Sequence, residues 1–300
     1  VYANVKEIGE ETKDYLVPAY TTDEILKDSN IILGIGSDKT MEILQDLFES
    51  GLITYHRTDS THVSKDGMNI AKKYLGEHFR PNEWGKEGAH ECIRPTRPWT
   101  RDDVERLVKE GVLSINIEEK AFLVYDLIFR RFMASQSRGE IKIKNYEIWV
   151  KDEKLNVSLT VEAKGKSYEL YPYRVKIYRP LQTGFVKVEV EKRITKIYPY
   201  SQADVIRVMK EKGIGRPSTY ATIISRLFKR NYVIERNGKL IPTKIGYTVH
   251  LFLSKHYGNF VSEERTEILE KKMEDVEEGK RDYQEVLKEL YEEMSKIRRV

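Results

Sequence analysis

Residues 141–150, IKIKNYEIWV, alternate apolar with polar side chains, and a period of two belongs to a strand with one face buried. The period continues through LNVSLTVEA (155–163), KSYELYPYRVKIY (166–178) and GFVKVEVEKRI (184–194), with polar or Gly/Pro breaks between them. Together they predict an antiparallel β region of at least four strands. The opening residues VYANVKEI (1–8) carry the same pattern. Pairing them with this region would make everything between an insertion into a β domain.

That intervening stretch, Thr21 to about Gln136, has the period of helices. TTDEILKDSNIIL (21–33) opens on a Thr/Asp cap and places Ile25, Leu26 and Ile32 at helical spacing. SDKTMEILQDLFESG (37–51) begins on a Ser37 cap, presents Met41, Leu44, Leu47 and Phe48 on one side and stops at Gly51. SKDGMNIAKKYLGEHF (64–79) and TRDDVERLVKEG (100–111) are further capped helices. NIEEKAFLVYDLIFRRFMASQ (116–136) is the longest, with Phe122, Tyr125, Leu127, Phe129 and Phe132 on a broad buried face. After the β region, SQADVIRVMKEKG (201–213) is a capped helix and RPSTYATIISRLFKRN (216–231) a second, started by Pro217. YVIERNGKLIPT (232–243) is a hairpin turning on Asn237-Gly238. Helix, helix and hairpin, loaded with Lys and Arg, make a winged-helix-like unit, and 262–299 finish as charged amphipathic helix. The expected fold class is α+β and multidomain: a β part over 1–20 and 140–199, a helical part over 21–139, and a winged-helix-like part with a helical tail over 200–300.

Three hundred residues suffice for two or three domains, and 40% hydrophobic residues is a globular composition. No stretch is both long and apolar enough to span a bilayer. The first thirty residues carry Glu7, Glu10, Glu11 and Asp14 and no continuous apolar segment, so no signal peptide is visible and a cytoplasmic location is expected. The chain opens on Val1 rather than methionine, which suits a piece of something larger. One cysteine, Cys92, excludes an internal disulfide and a Cys-rich zinc site and fits a reducing interior. Charged residues make up 33%, with Lys and Glu frequent, which leans towards a thermophile. The net charge is only +4, yet residues 204–255 hold eleven Lys or Arg against three acids, Asp204, Glu211 and Glu235. Such a block is either a solvated helical face or a surface for a polyanion, most often nucleic acid.

Three clusters could carry chemistry. In GLITYHRTDSTHVS (51–64) the phenol of Tyr55, with a reference pKa near ~10, needs help to act as a nucleophile. Arg57 lies two residues on, on the same face of an extended chain. It can lower that pKa and neutralise an anionic electrophile, with Asp59 on the same face to orient the guanidinium. His56 and Thr58 point the other way. The alternative is a buried tyrosine beside an ordinary surface ion pair. In KEGAHECIRPTRP (86–98), Gly88 and Ala89 allow close backbone approach, and His90, Arg94 and Arg97 are donors suited to phosphate oxygens. A polar loop with a structural histidine is the plainer reading. In EKGIGRPSTYATIISRLFKRNYV (211–233), Gly213 and Gly215 precede a helix start whose free amides, with Arg216, Ser218 and Thr219, could hold a phosphate. Gly165-Lys166-Ser167 is not a phosphate-binding loop: Thr160 stands where its first glycine belongs, in a β pattern that reads as a hairpin turn. No Asp-x-Asp pair lies beside a strand, so a two-metal centre is not visible.

In motif, order and spacing, GLITYHRTDSTHVS, EGAHECIRPTRP and GIGRPSTYATIISRLFKRNYV followed by LIPTKIGYTV together resemble the type IA DNA topoisomerases. His56 directly after the tyrosine, Cys92 where many members have alanine, AYTTDEIL (19–26) and YDLIFRRFMASQ (125–136) look most like the reverse gyrase branch. The resemblance implies that Tyr55 attacks a DNA phosphodiester and holds the 5′-phosphate while another strand passes. Arg57 would stabilise the phosphate with Asp59 as its hydrogen-bonded neighbour, and His90 would lie near the scissile phosphate. Arg216 and Thr219 would be DNA contacts of the winged-helix-like domain. The β region would be the arch that closes a toroidal, DNA-sized hole. The family also carries a Toprim domain that holds Mg²⁺, and reverse gyrase adds a helicase-like ATPase; neither is in these residues. Mg²⁺ and ATP are therefore expected through absent modules, as partners in the same enzyme or a separate subunit. The chain alone is expected to bind single-stranded DNA but to cleave or relax it poorly. Tyrosine recombinases also pair a nucleophilic tyrosine with Arg and His, but there the tyrosine comes last, whereas Tyr55 precedes His90 and Arg216. A DNA-binding module that merely keeps its ancestor's tyrosine is the non-enzymatic alternative.

Overall fold

A computed structural model describes residues 1–86, 88, 90–113, 118–189 and 198–295. In chain order the first elements are β1 (Tyr2–Asp14), α1 (Thr22–Leu33), α2 (Ser37–Glu49), α3 (Lys65–Leu75), α4 (Arg101–Lys109) and α5 (Glu119–Ser135). There follow β2 (Glu140–Val150), β3 (Glu153–Lys164), α6 (Lys166–Leu170), β4 (Gly184–Lys187), α7 (Gln202–Glu211) and α8 (Tyr220–Lys229). The last are β5 (Val233–Arg236), β6 (Lys239–Pro242), α9 (Lys244–Val261), α10 (Glu263–Glu277) and α11 (Tyr283–Ser295). The chain forms two compact units, Val1–Thr21 with Ile43–Ile197, and Thr22–Glu42 with Tyr198–Val300.

In the first unit an antiparallel sheet runs in the order β3-β2-β1-β4, with the opening strand inside it. Ala3 faces Val150 and Val5 faces Ile148; Ala3, Val5 and Tyr146 form a small core, joined by Leu159, Leu181 and Val186. The pairing of β1 with β2 slips between Glu7 and Gly9, and Ile8 is left exposed. The strand expected over 166–178 does not form. Gly165, at φ +95°, ends β3 where a Cβ would lie 2.8 Å from the Arg138 carbonyl oxygen, and α6 follows. Leu170 and Tyr171 are adjacent and both buried, which a strand with alternating faces does not allow. Of GFVKVEVEKRI, residues 190–194 lie outside the described residues.

The expected helices form around α5, whose Tyr125, Leu127, Phe129 and Phe132 are buried while Phe122 is half-buried. Ser64 and Thr100 cap α3 and α4 through bonds to Gly67 N–H and Asp103 N–H. Arg131, almost fully buried on α5, donates Nε–H to Pro18 O (2.8 Å) and lies 4.1 Å over the Tyr20 ring and 5.4 Å from that of Tyr171. The hydroxyls of Tyr20 and Tyr171 bond at 2.7 Å. This cation between two phenols ties the helical segment to the chain leaving the sheet.

In the second unit Leu26 of α1 packs with Ile206 and Met209 of α7 and Tyr220, Ala221 and Ile224 of α8. Ser37 is the first residue of α2 rather than its cap: Thr40 N–H donates to Gly36 O (2.9 Å), and Ser37 N–H donates to Gln202 Oε1 (2.9 Å). Gln202 also reaches Glu235 (3.0 Å), joining the helices to the hairpin β5–β6. Asn237 and Gly238 turn that hairpin with φ of +50° and +70°. Pro217 does not start α8. Thr219 and Tyr220 N–H both donate to Arg216 O (2.8 and 3.1 Å), so Pro217–Thr219 form a turn ahead of the helix. Unassigned in the sequence, α9 is apolar around much of its circumference, with Ile245, Tyr247, Leu251 and Phe252 exposed. The charged tail is two helices, α10 and α11, and residues 296–299 lie outside the described residues.

Candidate active site

Leu52 and Ile53 lead into the tyrosine because they are core residues. They run antiparallel to residues 92–96: Thr54 N–H donates to Arg94 O (2.9 Å) and Thr96 N–H to Leu52 O (3.0 Å). The Thr54 hydroxyl donates to Cys92 O (2.7 Å) and accepts from Arg94 N–H (3.0 Å). Two motifs 40 residues apart thereby become one bonded patch.

Beyond Thr54 the chain bends, but burial still alternates. Tyr55, Arg57 and Asp59 are exposed; His56 and Thr58 are buried. The Tyr55 ring meets Phe48 of α2 edge-on at 5.4 Å and lies 5.6 Å from the His90 ring, leaving the residue 40% exposed. One side of the phenol is thus held while the other stays open. His56 packs against Phe48 and Tyr55 at 5.9 and 5.6 Å. Burial, and then the Arg57 charge, push its pKa down to about 4, so it is neutral at neutral pH. Arg57 makes no hydrogen bond or ion pair with a described residue, so its guanidinium is open to an anion. The expected Asp59–Arg57 contact is not formed. Both side chains are exposed, where an ion pair gains little over hydration.

Arg94 is not at the surface. Its guanidinium is buried, donating to both oxygens of Glu91 (2.7 and 2.8 Å), to Pro95 O (3.0 Å) and to Ser64 Oγ (3.3 Å). Ser64 Oγ–H donates to Glu91 Oε2 (2.7 Å) while capping α3. Burial alone would raise the Glu91 pKa, but hydrogen bonds from Arg94 and Ser64 outweigh it and hold the carboxyl below the usual range. Arg94 thus anchors the His90 segment to α3. Gly67 makes room for it, since a Cβ there would lie 2.8 Å from Arg94 Nε. Glu91, and its bond to the capping Ser64, were missed in the sequence, although Glu91 stands three residues before Arg94. A Cβ on Gly88 would meet nothing, so no close approach requires that glycine, and Ala89 lies outside the described residues. Arg97 is exposed, with its guanidinium 5.7 Å from the Trp99 ring.

Arg216, Ser218 and Thr219 belong to the second unit. Arg216 donates to Gly215 O (2.8 Å) and pairs with Glu274 (2.6 Å) and Glu270 (3.6 Å) of α10. The Arg216 N–H is bonded to Thr219 Oγ1 (2.8 Å), so it is not a free amide, whereas Ser218 is exposed. Of the eleven cations over 204–255, Arg226, Lys229, Arg230, Arg236, Lys244 and Lys255 make no ion pair with a described residue. Among the described residues no group of three His, Cys, Asp or Glu could hold a metal ion, and no helix is long and apolar enough to cross a membrane.

An open tyrosine beside an arginine and a histidine, on a mixed helix and sheet scaffold, defines a class that the comparisons identify: residues 1–288 match the DNA topoisomerase family, and the chain belongs to it. Within that family the chain is similar to reverse gyrases. It is 44% identical to reverse gyrase of Pyrococcus furiosus over 97% of the chain and 25% of that protein. It is likewise 44% identical to reverse gyrase 2 of Aquifex aeolicus, over 92% of the chain and 24% of that protein. The chain therefore spans about a quarter of the length of these relatives. The full-length topoisomerase I of Thermotoga maritima aligns with all of it and with 53% of its own chain, at a TM-score of 0.81 and 28% identity. The chain is thus a reverse-gyrase-like type IA topoisomerase domain of mixed α+β fold.

Proposed function

We propose that this domain cleaves and rejoins one DNA strand through Tyr55. The observation that carries the proposal is the half-exposed Tyr55 ring, held between Phe48 and His90, with Arg57 uncommitted two residues away. The phenolic oxygen forms a bond to the phosphorus as the P–O3′ bond breaks. The phenol gives up its proton, the 3′ oxygen takes one, and a 5′-phosphotyrosine remains. Arg57 neutralises the phosphate, and His90 sits beside the attacking ring to bond a phosphate oxygen or the leaving group. Religation is the same step reversed and needs no external energy. Asp59 lies exposed on the same side of the strand as Arg57 and makes no ion pair with a described residue.

The three-part division read in the sequence gives each part a task. The sheet of 1–20 and 140–199 is the arch, the segment 21–139 carries the tyrosine, and 200–300 is the winged-helix-like DNA-binding part. Supporting that last assignment are the exposed Arg226, Lys229 and Arg230 at the end of α8 and Arg236 on the hairpin. Arg97 and Ser218, both exposed, join them as phosphate contacts. Arg94 positions rather than touches. Among the described residues no cluster of ligands forms a metal site, and we assign Mg²⁺ to a Toprim domain elsewhere and ATP to a helicase-like module. The partner is DNA, mainly single-stranded.

The test is cleavage of end-labelled single-stranded DNA with Mg²⁺, using the chain alone and mixed with a Toprim-bearing reverse gyrase fragment, beside Tyr55→Phe. We expect a protein–DNA adduct that needs the added fragment and is absent in Tyr55→Phe, while binding persists. Strong relaxation by the chain alone would refute the need for the Toprim domain. No adduct in any mixture would leave a DNA-binding module without catalysis.

A further inference from the structure

We propose a second phosphate-binding site for DNA on the first unit, in a groove of about 290 Å³ lined by His78, Arg80, Arg138, Gly165, Lys166 and Glu169. Three permanent cations and a histidine face one carboxylate there, none of them among the residues assigned to cleavage.

The groove is built by three chain segments bonded to one another. Arg80 N–H donates to Gln136 O (2.8 Å), and the buried Gln136 amide accepts from Asn82 N–H (3.1 Å) and donates to Asn82 O (2.7 Å). Ser167 N–H donates to Arg138 O (3.0 Å), and Ser167 Oγ–H to Ala134 O (2.9 Å). Two glycines let the segments cross: a Cβ on Gly165 would lie 2.8 Å from Gly139 Cα, and one on Gly139 would lie 3.1 Å from Lys164 O. The backbone that carries the cations is therefore preorganised, which lowers the ordering cost of binding.

The cations are only partly neutralised. Arg80 donates Nη1–H to Glu77 O and Phe79 O (2.8 and 2.7 Å), which orients the guanidinium and leaves its other N–H groups for a ligand. Arg138 is exposed, and its side chain makes no hydrogen bond or ion pair with a described residue. Lys166 has Glu169 at 3.4 Å, and His78 has Glu77 at 3.8 Å. Arg80 and Arg138 also line a smaller adjoining cavity whose wall includes Trp84, held by its indole N–H on Ser135 O (2.9 Å). Guanidinium groups lining one concavity, with an aromatic ring alongside, suit a nucleic-acid strand, whose phosphates take bidentate bonds from Arg and whose bases can stack on the ring. That the strand is DNA rests on the proposed function.

The test is fluorescence anisotropy of labelled single-stranded and duplex oligonucleotides against salt concentration. It compares the full chain with Arg80→Gln/Arg138→Gln/Lys166→Gln, and with Lys154→Gln on β3 as a control. Each lost phosphate contact lowers the slope of log K against log[salt] by roughly 0.7 on a single strand and 0.9 on a duplex. We expect the triple variant to lose about 2 from the slope in at least one arm, which also tells which form of DNA fills the groove. Its thermal melting and that of Lys154→Gln should stay near wild type, and Lys154→Gln should keep the slope. A triple variant whose slopes superimpose on wild type in both arms overturns the proposal, as does an equal loss from Lys154→Gln. Binding is read here without cleavage. An adduct that fails while the slope falls sinks only the Tyr55 proposal, and an unchanged slope with a normal adduct sinks only this one.

Discussion

Arg94 reads in the sequence as a surface donor for phosphate, and the fold spends it on Glu91 and Ser64 instead. The spacing of three residues was visible, but not that α3 would bring its capping serine to the same carboxylate. Glu91→Gln leaves a buried guanidinium without its charge partner, and we expect a loss of about 3 kcal/mol or more in denaturant unfolding. Gly67→Ala, normally favourable inside a helix, should here cost about 1–3 kcal/mol, because the new methyl meets Arg94 Nε at 2.8 Å. His56 gives a pH signature. Its folded pKa is depressed to about 4, so on acidification the unfolded chain takes up the proton first. Its contribution is complete above about pH 6.5 and is lost as pH falls towards 4, by up to about 3 kcal/mol. Melting measured across that range should fall less steeply in His56→Gln than in wild type. The faces of Tyr55, His56, Arg57, Thr58 and Asp59 were legible from the period of two alone, since core residues on one side of the entry set which neighbours turn inward.

Among the elements, those with a local chemical signal were legible. Ser64, Thr100 and Ser201 cap their helices as their positions require, and Asn237-Gly238 turns the hairpin through positive φ at both residues. The segment 166–178 was misread because its Tyr, Val and Ile content suits a strand, while Gly165 forces the chain out of the sheet. Nor did α9 show a helical period, because apolar side chains lie around much of it. Gly238→Ala puts a Cβ on a residue at φ +70° and should cost about 1 kcal/mol in thermal unfolding. It should also weaken binding of DNA if the hairpin is a wing.

At the scale of the whole chain, the return of the opening strand into a sheet made of residues 140–187 closes a long helical insertion. The alternation at both ends of that insertion made this readable, whereas the Arg131 cage that fastens it was not, since nothing in YDLIFRRFMASQ marks one arginine as buried. Arg131→Ala leaves Pro18 O without its donor and two tyrosines without their cation; about 3 kcal/mol and a clear drop in Tm are expected. The comparisons establish the topoisomerase family, and the function proposed for the chain within it rests on Tyr55. The most direct measurement is to trap the adduct on single-stranded DNA with a Toprim-bearing fragment and Mg²⁺, digest both polymers, and locate the nucleotide-bearing residue by mass spectrometry. A 5′-phosphate on Tyr55 is the expected product. A modified residue other than Tyr55, or a 3′-phosphate linkage, would refute the assignment.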